Sequence, residues 1–367
     1  MFCLPDALAA TLARHFRLSN DRLHTLMVLI VGLISGRTVN LSHIAAAFHG
    51  SAKPESNYRR LQRFFQHVRL DEDWLAKALV TMLRLVPPYR LCLDRTNWKL
   101  GKTPINLLVL CIVTKQVRIP ILWTILDRDG TSTMAQRQAL IERYLRLFGV
   151  NSISMLLADR EFIGNKWFEF LLDNDIPFAI RVPEKLLVML DGGQLVSLAL
   201  MTRHRPQLRR LPQFRGRFND MAERFAGTLG FAAKRRQDGT LIIVASNRDP
   251  LAALASYKKR WQIECLFGDT KTRGFNMEDT KLTQPEKLAL LLAVIALAIA
   301  WVRACAKAVR PDGYIPRAKH GYRRKSWFRL GLDTLRHWIA ADPLAAHKTW
   351  HRICSRLPNH FRRPRVV

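Results

Sequence analysis

Apolar side chains recur at helical spacing through the first 86 residues. Leu23 to Ile34 carries one apolar stripe that closes near Gly36, and Asn40 or Ser42 stands where a cap is needed for a short helix over His43 to Phe48. A break at Gly50-Ser51-Ala52-Lys53-Pro54 leads into a second helix, Glu55 to Val68. Its core face is Tyr58, Leu61, Phe64 and Phe65; Arg59, Arg60 and Arg63 fall outside. Two short helices with a turn between them, the second lined with arginine, form a helix-turn-helix candidate for DNA, with an ordinary packing pair as the alternative.

From Pro87 the pattern changes to short apolar runs bounded by turn residues. Tyr89 to Leu93 reads as a buried strand ending at Asp94. Ile105 to Thr114 and Val117 to Leu126 read as a hairpin joined at Lys115-Gln116. A helix over Thr133 to Phe148, a strand over Ile153 to Ala158 ending at Asp159, a helix over Gly164 to Asn174 and a strand over Pro177 to Val182 complete a βββαβαβ order. That order describes a ribonuclease-H-like α/β sheet. Residues 183–248 interrupt it with a β-rich insertion: Leu186 to Met189, a turn at Asp191-Gly192-Gly193, Leu195 to Met201, and a last strand at Leu241 to Ala245. A long helix over Leu251 to Arg273, a buried one over Pro285 to Arg310 and a basic helical region from 311 to 367 follow. The expected divisions are therefore an all-helical DNA-binding domain at 1–86, a catalytic core at 87–182 and 249–310 split by the insertion at 183–248, and the region 311–367.

Charge sharpens this picture. The chain carries 59 Lys and Arg against 29 Asp and Glu, a formal net charge of +30. A balance that basic points to a polyanion, nucleic acid before all others. The insertion concentrates it in Arg203, Arg205, Arg209, Arg210, Arg215 and Arg217, which suit a DNA backbone or a charge-blunted sheet edge. Six cysteines lie scattered without a CxxC pair, as free thiols of a reducing compartment do. His347, His351 and Cys354 share a helical face but lack a fourth ligand, so a zinc site is not expected there. No cleavable targeting segment opens the chain, and the apolar run Leu288 to Val302 is short for a membrane span. A cytoplasmic protein that does not engage a membrane is the expectation.

Three carboxylates stand out as chemistry. Asp94 and Asp159 are each the first polar residue after a buried strand, where ligands collect in α/β sheets. The third, Glu264, is surrounded by cations. Taking Tyr257 as zero and advancing about 100° per residue puts Arg260, Glu264 and Lys271 at about −60°, −20° and −40°, with Gly268 near +20°. Arg, Lys and Tyr bind phosphate oxygens, and Gly lets a strand come close. A carboxylate facing DNA is repulsive unless a cation stands between them, and Mg²⁺ would fill that place. The alternative is a solvated helix in which Glu264 pairs with Arg260 at i, i+4. Three hard oxygen ligands on rigid elements suit two Mg²⁺ ions about 4 Å apart, which catalyse in-line attack on phosphorus without a protein nucleophile.

The spacing Tyr-x2-Arg-x3-Glu-x6-Lys is met by Tyr257, Arg260, Glu264 and Lys271, and it resembles the motif of bacterial DDE transposases of the insertion sequence four group. Asp94-Arg95-Thr96 resembles that family's first-Asp motif. Ala158-Asp159-Arg160-Glu161-Phe162, with Trp167 after it, resembles the second. The resemblance spans about residues 20 to 340. It implies Asp94, Asp159 and Glu264 as the catalytic metal-binding triad for Mg²⁺, with Mn²⁺ as a substitute. It further implies Tyr257, Arg260 and Lys271 as holders of the transposon end; Arg59, Arg60 and Arg63 are further DNA contacts on the helix-turn-helix reading. The implied activity is cut-and-paste transposition: binding of terminal inverted repeats, strand cleavage and strand transfer into target DNA, with two ends paired by a homodimer near the bacterial nucleoid. Some members stack a flipped base on an insertion Trp. The insertion here contains no Trp, leaving Phe214, Phe218 or Phe225 as substitutes. Two rivals remain: a ribonuclease-H-like nuclease without joining activity, and a catalytically silent DNA-binding regulator.

Overall fold

The computed structural model describes residues 3–357 apart from 17, 49–51, 128, 190–193, 204–208, 216–226 and 320. Five helices come first: α1 (Leu4–Leu12), α2 (Asn20–Gly36), α3 (Leu41–Ala46), α4 (Pro54–His67) and α5 (Glu72–Leu83). Side-chain caps start α2, α3 and α5, and a proline in the first turn starts α1 and α4. Ser19 accepts from the Arg22 amide, Asn40 from Ser42, and Asp71 from Asp73 and Trp74. On α4, Leu61, Phe64 and Phe65 are buried and Tyr58 is half-buried, which is the core face expected from the spacing.

The strands β1 (Tyr89–Leu100), β2 (Thr103–Val113) and β3 (Arg118–Leu126) form the meander. They are followed by α6 (Met134–Phe148), β4 (Ile153–Ala158), α7 (Asn165–Asp173) and β5 (Phe178–Val182). Thr133 and Gln136 make a reciprocal capping box at the start of α6. Next come the small ribbon β6 (Leu187–Met189) and β7 (Leu195–Ser197), then α8 (Leu198–Thr202), β8 (Arg209–Arg215), β9 (Thr228–Arg235) and β10 (Leu241–Ser246). The chain ends in α9 (Pro250–Tyr257), a 3-10 turn at Lys258–Arg260, α10 (Trp261–Thr270), α11 (Pro285–Val309), α12 (Trp327–Ala341) and α13 (Pro343–Cys354).

The central sheet has the order β3-β2-β1-β4-β5-β10-β9-β8. β1, β4 and β5 run parallel; every other neighbouring pair is antiparallel. The mixed α/β architecture fits the ribonuclease-H-like sheet expected from the element order. Three details differ from the sequence reading. First, β1 does not end at Asp94. It stays paired with β2 as far as Leu100↔Thr103, around a turn at Gly101 whose φ of +59° suits glycine. Second, β8, β9 and β10 lengthen the central sheet, with β10 hydrogen-bonded to β5. Third, the long helix expected over Leu251 to Arg273 is two helices joined by the 3-10 turn. The turn at Asp191-Gly192-Gly193 lies outside the described residues.

Helix α11 is the spine of the core. It is the one described helix long and apolar enough to cross a membrane, and nearly all of its most apolar stretch is buried inside the protein. Its Trp301 donates its indole N–H to the Ala346 carbonyl oxygen of α13 at 3.2 Å, while Trp350 of α13 donates to Leu8 O of α1 at 3.3 Å. One contiguous apolar cluster thus runs from Leu4 to Leu357, taking in the N-terminal helices, both faces of the sheet and α13. His347, His351 and Cys354 share α13, but Cys354 is buried in this cluster. Among the described residues only Cys3, Asp6 and His24 bring three metal-type donors within 4.8 Å of one another.

Close backbone approach locks α12 onto α11. A Cβ at Gly331 would lie 2.0 Å from the Val302 carbonyl oxygen and 3.1 Å from the Ala306 methyl. We expect Gly331→Ala to lower unfolding free energy by ~1–3 kcal/mol through overpacking. A urea midpoint equal to that of the wild type would show that the two helices do not meet this closely.

Candidate active site

The parallel register of β1 and β4 closes on the rung Leu93↔Ala158. Asp94 and Asp159 come next, so the two carboxylates emerge side by side where β4 ends and β1 runs on beside β2 alone. Leu91, Cys92, Leu93, Leu156, Leu157 and Ala158 behind them are fully buried and fix the backbone. The third carboxylate, Glu264, comes from α10. That helix is pinned to β3 by Arg118, which donates to Asp269 Oδ2 at 2.7 Å and to Gln262 Oε1 at 3.2 Å.

Arg260 stands at the centre. Its Nη1 donates to Asp94 Oδ2 at 3.0 Å, and its Nη2 lies 3.5 Å from Asp159 Oδ2 and in direct contact with Glu264 Oε1. Tyr257 donates its hydroxyl to Asp159 Oδ1 at 3.2 Å. The 3-10 turn makes this convergence. It advances about 120° per residue, which brings Arg260 almost beneath Tyr257 and not off to one side. The i, i+4 pair of Arg260 and Glu264 is therefore real, but it is no solvated helix pair: the guanidinium is 12% exposed and serves three carboxylates.

Burial and charge compete here. Desolvation raises Asp94 to about 6, against the opposing pull of Arg260 and the Arg95 amide. Burial alone would lower Arg260, but Tyr257, Asp159, Asp94 and Glu264 outweigh it and raise it. Tyr257 is pushed up by burial and then by Asp159.

Other expected residues lie elsewhere. Lys271 donates to Asn97 O at 3.2 Å, pairs with Glu278 at 2.8 Å and sits over the Trp98 ring, further along β1 from Asp94. Gly268 is not bare. The Arg273 guanidinium lies against it, so a Cβ there would meet Arg273 Nη2 at 1.8 Å. On α4, Arg59 and Arg63 are exposed. Arg60 instead turns inward, donating to Thr25 Oγ1 at 2.9 Å and lying 3.0 Å from His24 Nδ1, both on α2. Of the insertion arginines, Arg203 is exposed; Arg209, Arg210 and Arg215 fall on β8; Arg205 and Arg217 lie outside the described residues. Phe214 is also on β8, while Phe218 and Phe225 lie outside the described residues.

The sequence reading missed a second ion pair behind the carboxylates. Arg95 donates to both oxygens of Glu161, at 3.0 and 2.6 Å, and also to Asn106 Oδ1 at 3.3 Å. Each partner is one or two residues from a central aspartate, so the bidentate pair ties the two aspartate segments together. The partner 66 residues away has no local signal. A cleft of about 640 Å³ opens beside the carboxylates, lined by Arg181, Lys234, Arg236, Tyr257, Arg260 and Glu264. The first three cations come from β5 and the β9 end and had not been singled out.

The donor set fits divalent cations. Three hard oxygen donors on rigid elements point at one place, and a cation, the Arg260 guanidinium, already fills it. With the guanidinium between them, the carboxylates do not all come within 4.8 Å of one another.

A family model described as transposase DDE domain matches residues 87–301, more than half of the chain. The protein belongs to the transposase DDE domain family. Such domains generally use divalent metal ions and act on DNA. No curated protein matches the chain in sequence. Two solved structures share weak likeness. One chain of the cryo-EM structure of the simian T-cell lymphotropic virus intasome in complex with PP2A regulatory subunit B56 gamma is 11% identical, covers 60% of this chain and 99% of its own, and superposes at a TM-score of 0.22. Endonuclease V of Bacillus subtilis is 13% identical, with coverage of 66% and 94% and a TM-score of 0.25. Scores this low carry no argument.

The raised Asp94 gives a pH signature. Its folded value of about 6 exceeds the unfolded value of about 3.9, so its contribution to stability is full below pH ~4 and is lost as pH rises through ~6. In chelator, Asp94→Asn should melt higher than wild type at pH 8 and level with it at pH 4. Equal melting temperatures at pH 8 would mean that Asp94 is not desolvated.

Proposed function

We propose that this chain is a transposase of the insertion sequence four group that cuts and joins DNA at the ends of its own element. The observation that carries this reading is the meeting of Asp94, Asp159 and Glu264, from three separate elements, around a single cation position. The three carboxylates would hold two Mg²⁺ ions, or Mn²⁺ in their place, which supply a readied oxygen nucleophile and a stabilised leaving oxygen. Arg260, no longer needed between the carboxylates, would turn its guanidinium to a backbone phosphate. Tyr257 would hydrogen-bond the same strand, and Lys271 would meet it further along β1. The cleft cations Arg181, Lys234 and Arg236 suit the continuing phosphate backbone.

DNA ends would also meet the exposed Arg59 and Arg63 of α4, whereas Arg60 is engaged by α2. Two ends paired in a homodimer, with target DNA as the second substrate, complete a cut-and-paste cycle in the cytoplasm at the nucleoid. A nuclease without joining activity would use the same triad but leaves Tyr257 and Arg260 without a task on the cut end.

Purified protein is incubated with the inverted-repeat ends flanking its gene, with and without Mg²⁺, and resolved on a denaturing gel. Metal-dependent cuts at the element boundary should appear and vanish in Glu264→Gln. Retarded DNA without cuts under either Mg²⁺ or Mn²⁺ would favour the silent DNA-binding reading. Cuts without joined 3′ ends in target DNA would favour the nuclease.

Arg95→Met should cut ends at least about tenfold more slowly, with DNA affinity unchanged, because loosened aspartates misplace the reacting oxygens. Full cutting by that variant would leave the Arg95–Glu161 pair a purely structural tie.

A further inference from the structure

A second basic cavity lies away from the carboxylates. It has a volume of about 490 Å³ and sits between the end of α5, the β2–β3 turn, α11 and α13. Five cations line it: Arg84, Arg303, Lys307, Arg352 and Arg356; no carboxylate does. The β2–β3 turn follows the rung Arg90↔Val113, four rungs from Asp94↔Val109, or roughly 13 Å along the strand. The cavity thus lies toward the amino-terminal end of β1, away from Asp94 and from the carboxyl end of β4 that precedes Asp159.

Arg303 is the informative residue. It is 6% exposed, and its Nε is buried without a hydrogen-bond partner. Its guanidinium carbon lies 5.5 Å from the centroid of the Trp327 ring. Desolvation and then Arg118 depress it to about 9, and the nearby Asp269 that opposes them is already bonded to Arg118. Arg356 shares part of the pattern: its Nη1 donates to the Met82 carbonyl oxygen, but its Nε is buried and unpartnered, and burial, Arg84 and Arg352 all lower it. A buried guanidinium with open donors beside four more cations is an electrostatic deficit. One anion in the cavity would supply both the missing acceptors and the missing countercharge.

We propose that this cavity binds a phosphate group, contributed either by a DNA backbone lying outside the catalytic cleft or by a small phosphate-bearing molecule. Several converging guanidinium and ammonium groups match the several oxygens and the double charge of phosphate better than a single carboxylate. The site stands independently of the role given to the triad.

Inorganic phosphate titrated into the full-length protein by calorimetry, with chloride holding ionic strength constant, tests the proposal. Saturable binding should be seen for the wild type and kept by Glu264→Gln. It should weaken about tenfold or more both in Arg303→Met and in the surface double variant Lys307→Ser, Arg352→Ser, which leaves the core intact. Parallel titration with a short DNA duplex distinguishes the sources. If duplex affinity falls in the double variant and phosphate competes with duplex, the ligand is a backbone phosphate; if duplex affinity holds while phosphate binding is lost, it is a small molecule. Both outcomes support the site. Unsaturable phosphate binding, or equal binding by wild type and both cavity variants, would overturn it, since phosphate would then only screen the net charge of +30.

Discussion

Mutual repulsion of three carboxylates is the constraint around which this protein is arranged. Asp94, Asp159 and Glu264 are brought toward one place by a sheet and a helix packed on it, and carboxylates gathered this way repel one another unless a cation stands among them. Arg260 supplies that cation from the same chain. A guanidinium is suited to the task because its planar fork reaches several oxygens at once. Its position depends in turn on the 3-10 turn at Lys258–Arg260, and the turn on α9 and α10 being docked separately, α9 against β9 and β10 and α10 against β3 through Arg118. The basic chemistry of the site is therefore a product of how one helix was broken in two.

Much of the sheet was legible because its strands are buried on both faces and read as unbroken apolar runs. β2, β3, β4, β5 and β10 fall within a few residues of their expected places. The far half of β1 was not legible, since Asp94-Arg95-Thr96-Asn97 looks like a loop, and only pairing with β2 makes it a strand. β9 was missed for a related reason: its Lys234 and Arg235 and its glycine blur the apolar run, while the neighbouring strand β10 supplies the pairing. Register between strands distant in sequence is a tertiary property that local spacing does not encode.

At the site, the side-chain identities were readable and their relations were not. Helical arithmetic brought Tyr257, Arg260 and Glu264 to one face, and they do converge. It also put Lys271 and a bare Gly268 there. The structure sends Lys271 to Asn97 and Glu278, and folds Arg273 over the glycine. The arithmetic assumed a uniform helix, and α10 ends at Thr270, where Lys271 leaves helical geometry. Arg60 failed in the opposite direction. It sits on the outer side of α4 by periodicity, yet α2 is close enough to claim its guanidinium.

The indole of Trp350 bonded to the carbonyl of Leu8 has a consequence for how the protein is made. α1 packs first on α2, the next helix, but its second partner, α13, comes more than three hundred residues later in translation, and α11 meets α13 as well. The core therefore closes only after the ribosome has delivered almost everything described here. Products that stop before α13 lack one of the two helices against which the first rests.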